Sequence, residues 1–169
     1  MINSINSCPK IFAMYRKGYI LFIIVFIILL SLNLYGAPIG EIKLKSGASL
    51  NSTYTWDGKE LKSKAGVRLS NTWTFDGKEI KPKARATLKN TYVWNGKEMK
   101  PKTGATLANT FVWNGRELKP KAGVTSKNTW VFSDSLWKPK SSANSSNTWI
   151  VSGSIPVPVC ALIFLAIIP

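Results

Sequence analysis

A chain of 169 residues with 23 basic and 8 acidic side chains, a formal net charge of +15, has room for one domain plus a targeting segment, and its charge favours anionic partners. It has no histidine and only two cysteines, Cys8 and Cys160, which excludes Ser-His-Asp and Cys-His catalysis and the zinc sites built from those ligands. Composition therefore points away from an enzyme, and no cofactor is expected.

Residues 1–36 read as a signal peptide or membrane anchor. Arg16 and Lys17 precede YILFIIVFIILLSL (Tyr19 to Leu32), an uncharged run of 14 residues, shorter than the roughly 20 a spanning helix needs. Met14 is an alternative start to Met1. Cleavage would remove Lys10, Arg16 and Lys17 and leave a charge of +12; retention would hold the chain to a membrane through residues 19–34. Either outcome places the remainder in the cell envelope or outside the cell.

From there a 19-residue period takes over. NTWTFDGKEIKPKARATLK (Asn71 to Lys89) aligns without gaps on NTYVWNGKEMKPKTGATLA (Asn90 to Ala108) and NTFVWNGRELKPKAGVTSK (Asn109 to Lys127). Further units start at Asn33, Ser52, Asn128 and Asn147, which makes about seven copies. The first lacks the aromatic pair, and the sixth has Ser133-Asp134-Ser135 in place of Asp-Gly-Lys.

Asp57-Gly58, Asp76-Gly77, Asn95-Gly96 and Asn114-Gly115 predict one hairpin per unit with a two-residue type I′ turn. Such a turn pairs Trp94 with Lys97, Tyr92 with Met99 and Thr91 with Lys100, and places Pro101 opposite Asn90. One face then holds Tyr92, Trp94 and Met99, and the other Thr91, Val93, Glu98, Lys100 and Lys102, as a half-buried antiparallel pair requires. A lone hairpin is marginal in water, so the units must stack. The expected fold is all-β: a tandem array over residues 37–154, either a β-solenoid or a closed propeller-like ring. Residues 155–169 end in CALIFLAIIP and read as a hydrophobic cap, with self-association through this tail as a further expectation.

The scheme resembles bacterial cell-wall-binding repeats of the choline-binding type in unit length, in its aromatic-rich hairpin and in its Gly-containing turn. It is also similar to an uncharacterised class of bacterial hairpin-repeat proteins with GKELKPKxGAT-like units. The likeness covers roughly residues 41–159 and implies architecture only. No choline site is carried over, because a cage of three aromatic rings cannot be placed on these positions.

The pairs Tyr54/Trp56, Trp73/Phe75, Tyr92/Trp94, Phe111/Trp113 and Trp130/Phe132 are read as core, with some rings open to stacking on sugars or amines between units. Trp137 replaces the Leu, Ile or Met of other units beside the irregular turn and is expected to be partly exposed. Lys62, Lys64, Lys81, Lys83, Lys100, Lys102, Lys119, Lys121, Lys138 and Lys140, with Lys43 and Lys45, fall on the polar face and predict a basic stripe, a track for a polyanion or a solvated surface. The turn Asp and Asn residues fit turn chemistry better than calcium ligation. Three functions follow: a structural or adhesin-like envelope repeat protein, a module binding anionic or carbohydrate envelope polymers, or a nucleic-acid binder. Aromatics on the face opposite the lysines disfavour the last.

Overall fold

The structure, a computed structural model, describes residues 39–168; the N-terminal segment and its signal or anchor reading lie outside the described residues. Twelve strands run in chain order: β1 (Gly40–Leu44), β2 (Thr53–Trp56), β3 (Glu60–Ser63), β4 (Trp73–Phe75), β5 (Glu79–Pro82), β6 (Tyr92–Trp94), β7 (Glu98–Pro101), β8 (Phe111–Trp113), β9 (Glu117–Pro120), β10 (Trp130–Ser133), β11 (Leu136–Pro139) and β12 (Trp149–Gly153). One helix, α1 (Val157–Phe164), follows. Each strand pairs antiparallel with its chain neighbours, and β1 pairs with β12, which closes one continuous barrel. The array is thus a closed ring, and the solenoid alternative is excluded.

The hairpins number six, where the sequence repeats about seven times. Five are continuous, and the sixth is composite. Of the first unit the described residues supply β1, in the position of the second strand, and the last unit supplies β12, in the position of the first. Their register (Leu44 with Trp149, Lys43 with Ile150, Ile42 with Val151) repeats that of β6 and β7 (Pro101 with Tyr92, Lys100 with Val93, Met99 with Trp94). The first unit has no aromatic pair because the far end of the chain provides that strand. At this seam a Cβ on Gly153 would lie 1.9 Å from the carbonyl oxygen of Ile39, and Gly153 has φ +74°, so glycine is required there.

The turns correct the expected register. Trp94 pairs with Met99, so the two-residue loop is Gly96-Lys97 and not Asn95-Gly96. Only the glycine has positive φ, as the first central position of a type II′ turn requires, whereas type I′ needs two such residues. Asn95 instead sits before the loop, and its Oδ1 accepts the backbone N–H groups of Lys97 and Glu98 at 3.0 and 2.7 Å. Two consecutive positive φ values occur in the turn of the irregular unit, at Asp134 (+52°) and Ser135 (+62°). The shift is two residues, an even number, so both faces keep the residues expected of them. Pro101 moves inward, opposite Tyr92. Its neighbour Lys102 donates to Thr91, so by alternation the missing N–H of Pro101 points towards the next hairpin, where pairing has already ended at Met99–Phe111.

Inside the barrel, Ile42, Leu61, Ile80, Met99, Leu118 and Trp137 line the wall, one per hairpin, at 0–1 % exposure. Eight strands leave room for side chains alone, and twelve leave more. α1 fills the difference. Its VPVCALIF sequence is apolar all round, as a helix enclosed on every side must be, and Val159 through Phe164 are buried in the same cluster as the wall. Ile155, just before α1, packs on Gly40 at the turn end, and Ile167, just after it, reaches Tyr92 at the long-loop end. α1 therefore threads the lumen. Its eight residues span about 12 Å, close to the height of four-residue strands.

Trp137, expected to be partly exposed, is 1 % exposed. It packs on Phe164 of α1 (ring centroids 4.7 Å apart), Phe132 (5.1 Å) and Trp113 (5.2 Å), filling space that an aliphatic residue would leave between wall and helix. Burial pushes the Cys160 thiol up to about 12, so Cys160 should resist thiol reagents until the barrel unfolds. Leu162, at 0 % exposure on α1, tests the role of the helix: Leu162→Ala should lower the unfolding free energy by about 2–5 kcal/mol in urea titration.

Candidate functional site

The outer wall carries the predicted lysines, and a belt of glutamates meets them. Within a strand Glu60 pairs with Lys62 (2.8 Å), Glu79 with Lys81 (3.6 Å) and Glu117 with Lys119 (4.0 Å). Across to the next hairpin, Glu41 pairs with Lys64 (2.7 Å), Glu79 with Lys102 (2.6 Å), Glu98 with Lys121 (2.8 Å) and Glu117 with Lys140 (2.8 Å), and Glu60 pairs with Lys83. No aspartate or glutamate lies within ion-pair distance of Lys100 or Lys138 among the described residues; Leu136 replaces the glutamate beside Lys138. The structure thus brings most of the stripe together as an alternating belt and not as a bare cationic track. Each exposed pair contributes only about 0.2–1 kcal/mol, but pairing consumes the charge a polyanion would use.

Among the described residues, unpaired cations lie at both ends, including Lys59, Lys78, Lys97 and Arg116 beside the turns, but the long loops are set apart by having no acid of their own. The six loops (45–52, 64–72, 83–91, 102–110, 121–129 and 140–148) contain no aspartate or glutamate. Arg68, Arg85, Lys89 and Lys127 project from them, with no aspartate or glutamate carboxylate within ion-pair distance among the described residues. The reason for the Asn-Thr that opens most units becomes clear here. In the 102–110 loop, Asn109 Oδ1 accepts the N–H of Thr106 at 2.6 Å, its Nδ2 donates to Gly104 O at 3.0 Å, and Thr110 Oγ1 donates to Thr106 O at 2.7 Å. The same set recurs at Thr87, Asn90 and Thr91 and at Thr125, Asn128 and Thr129. These bonds close the loop like a helix capping box and fix its tip.

At that tip, four consecutive loops present Leu50, Leu69, Leu88 and Leu107, each 59–61 % exposed. The next two carry Ser126 and Ser145 at the same position. Sequence reasoning missed this row, although the signal was a leucine recurring every 19 residues outside the strand pattern.

Below the tips the hairpins splay, because adjacent hairpins share only two residue pairs, as at Glu98–Val112 and Met99–Phe111. Two clefts open between them. One, of about 540 Å³, lies among Tyr92, Pro101, Phe111, Lys89, Asn109 and Ile167. The other, of about 520 Å³, lies among Trp73, Pro82, Arg85, Lys89, Tyr92 and Ile167. Some rings of the aromatic pairs therefore border clefts, while Trp56 and Trp73 are 3 % exposed. The buried indole N–H of Trp73 has no acceptor among the described residues. Arg85 holds φ +57° at a position where four other units have glycine.

The turn end behaves differently. Asp57 and Asp76 each accept two backbone N–H bonds (2.7–3.0 Å) through Oδ1, so turn chemistry accounts for them. No group of three or more His, Cys, Asp or Glu able to hold a metal occurs among the described residues. Comparison with protein-family models, curated proteins and solved structures finds no match for the chain.

Lysine hydrogen bonds hold the belt glutamates below their ordinary value of 4.5: Lys64 on Glu41, Lys62 and then Lys83 on Glu60, Lys102 on Glu79, Lys121 on Glu98 and Lys140 on Glu117. A carboxyl whose pKa is lowered by folding binds protons more weakly in the native state, so its contribution is present above 4.5 and is lost as pH falls through the lowered value. Thermal unfolding should therefore show constant stability from neutral pH to about pH 5 and a decline below it. Replacing all five glutamates with glutamine should flatten that decline. Relief of strain makes the opposite kind of change at Arg85: Arg85→Gly should raise stability by about 0.5–1 kcal/mol in urea titration, the left-handed penalty less the added chain entropy.

Proposed function

We propose that the protein is a non-enzymatic repeat protein of the cell envelope or surface, a rigid scaffold with a structural or adhesive role. Its N-terminal segment delivers it, either as a cleaved signal or as a retained anchor. The observation that carries this reading is the separation of the two barrel ends. Ile39 and Gly40, the first described residues, lie at the turn end of the barrel, beside Gly153 and the turn glycine Gly58. The exposed leucines gather at the other end, on loops that carry cations and no carboxylate. Near-identical loops on a closed ring suit a repetitive partner, because each further loop engaged adds avidity without a new kind of contact.

The second reading, a module for anionic or carbohydrate envelope polymers, draws on Lys100 and Lys138 and on the loop-end cations, with Tyr92 and Phe111 as ring platforms in the cleft. The belt weakens the original basis of that reading, the lysine stripe. Nucleic-acid binding draws no support, since the aromatic rings pack inward on the barrel core.

A cysteine at Ser146 tests delivery and orientation together. In intact cells a membrane-impermeant maleimide should modify Ser146→Cys in a Cys8→Ser background, with Cys160 silent because it is buried. Full-length protein found only in the cytosolic fraction, or unreactive until cells are broken, would overturn the envelope reading.

A further inference from the structure

We infer that the long-loop end is a docking surface for an anionic lipid bilayer. This rests on that end being the free, interacting end of the scaffold. Leu50, Leu69, Leu88 and Leu107 stand on four consecutive hairpins, each about 60 % exposed. Each hairpin takes two strand widths, so the tips recur about every 10 Å around the rim. Val67 and Val124, 54 % and 48 % exposed, lie on the second and fifth of the six loops. Apolar residues standing singly at that spacing form no continuous patch for a protein partner, but each can enter the headgroup–acyl boundary independently.

Charge selects the occupant. Arg68, Arg85, Lys89 and Lys127 lie among these tips, and the six loops contain no carboxylate side chain. A second copy of the chain, set loop end to loop end, would oppose like charges. A hydrated anionic polymer would satisfy the cations but leave the leucines in water. A bilayer with acidic headgroups satisfies both. The clefts beneath the tips, bordered by Arg85, Lys89 and Tyr92, lie where headgroups would sit once the leucines are inserted.

Rigidity supports the same occupant. A free loop with one leucine would fold that side chain against the nearest apolar surface. The Thr106–Asn109 bonds, at 2.6 Å from N–H to Oδ1 and 3.2 Å in return, hold Leu107 at the apex instead. The leucine row is one-sided: beyond Leu107 the next loop offers only Val124 and Lys127 beside Ser126, and the last carries Ser141, Ser142, Ser145 and Ser146. Docking would therefore tilt the barrel towards its 45–110 side.

The test uses the full chain, because the N-terminal segment can itself enter lipid and only a probe on the loops separates the two. An environment-sensitive dye is attached at Ala108→Cys in a Cys8→Ser background, which leaves all four leucines in place. Vesicles of phosphatidylcholine are compared with vesicles containing phosphatidylglycerol in equal part. On the anionic vesicles the dye should shift to the blue and become protected from an aqueous quencher, and on the neutral ones it should not. Removing Arg68, Arg85, Lys89 and Lys127 as glutamines should weaken the transition about fivefold per charge. Changing the four leucines to serine should abolish it while thermal unfolding stays unchanged. The proposal fails if the dye stays aqueous on both vesicles or responds equally to both. It also fails if the dye shifts without lipid: in step with protein concentration for a second copy, independently of it if the N-terminal segment covers the loops. Protection by a soluble polyuronate that survives the leucine changes would assign the surface to polymer. None of these outcomes depends on where the protein resides in the cell, so localisation can fail separately.

Discussion

A twelve-stranded barrel cannot fill itself, and that constraint organises the molecule. Wall residues such as Leu61, Met99 and Leu118 reach only part of the way to the axis, and a void of that width would forfeit the dispersion contacts and burial that hold short strands together. The C-terminal helix resolves this by running through the lumen. It has no polar face to spare because it meets wall in every direction. Strands of three to five residues have little backbone ladder of their own, so packing against the helix carries much of the stability. The tilted cluster of Trp113, Phe132, Trp137 and Phe164 follows from the same need, since the irregular hairpin meets the helix with the largest side chain available.

Closure depends on the chain ends for a related reason. A ring of identical hairpins has a seam, and a seam between two complete hairpins would be held by only two residue pairs, like those between β7 and β8. Splitting one hairpin between the termini places the stronger five-pair ladder of β1 and β12 at the point where the chain would otherwise part. The close approach at Gly40 and Gly153 belongs to this seam. The helix begins four residues beyond Gly153, so the strand that closes the ring leads directly into the element that fills the lumen.

This is also where the sequence was legible and where it was not. The 19-residue period and the alternation of Tyr92, Trp94 and Met99 against Val93 and Lys100 were enough to specify hairpins with one apolar face, because facing depends only on parity. The register itself was misread by two residues. Asn-Gly is the usual signature of a type I′ loop, but here the asparagine caps the turn through its side chain, a local competition that the dipeptide alone does not reveal. Counting seven units where there are six hairpins came from treating each repeat as a structural whole. Trp137 was misplaced because its neighbours in sequence, a serine-rich turn and a lysine, suggested surface, and only the helix on the other side of the wall explains its burial.

The charge pattern shows why the candidate site shifted from the wall to the rim. Lys62, Lys83 and Lys102 look like a cationic track when the hairpins are laid out flat. Stacking the hairpins brings each glutamate against the second lysine of the following unit, 23 residues away, a contact made by the lateral pairing of neighbouring hairpins. The wall is therefore electrostatically satisfied by its own repetition. The rim is not, because the repeat places no acid in its loops, and several departures from the repeat fall there: Arg85 in a glycine position with positive φ, lysine at 89 and 127 where Ala108 stands in the unit between, and leucine giving way to serine on the last two loops. A residue held in a left-handed conformation costs stability that glycine would not. Variation that adds cation and strain beside exposed leucines is what supports the proposed docking surface at this end of the barrel.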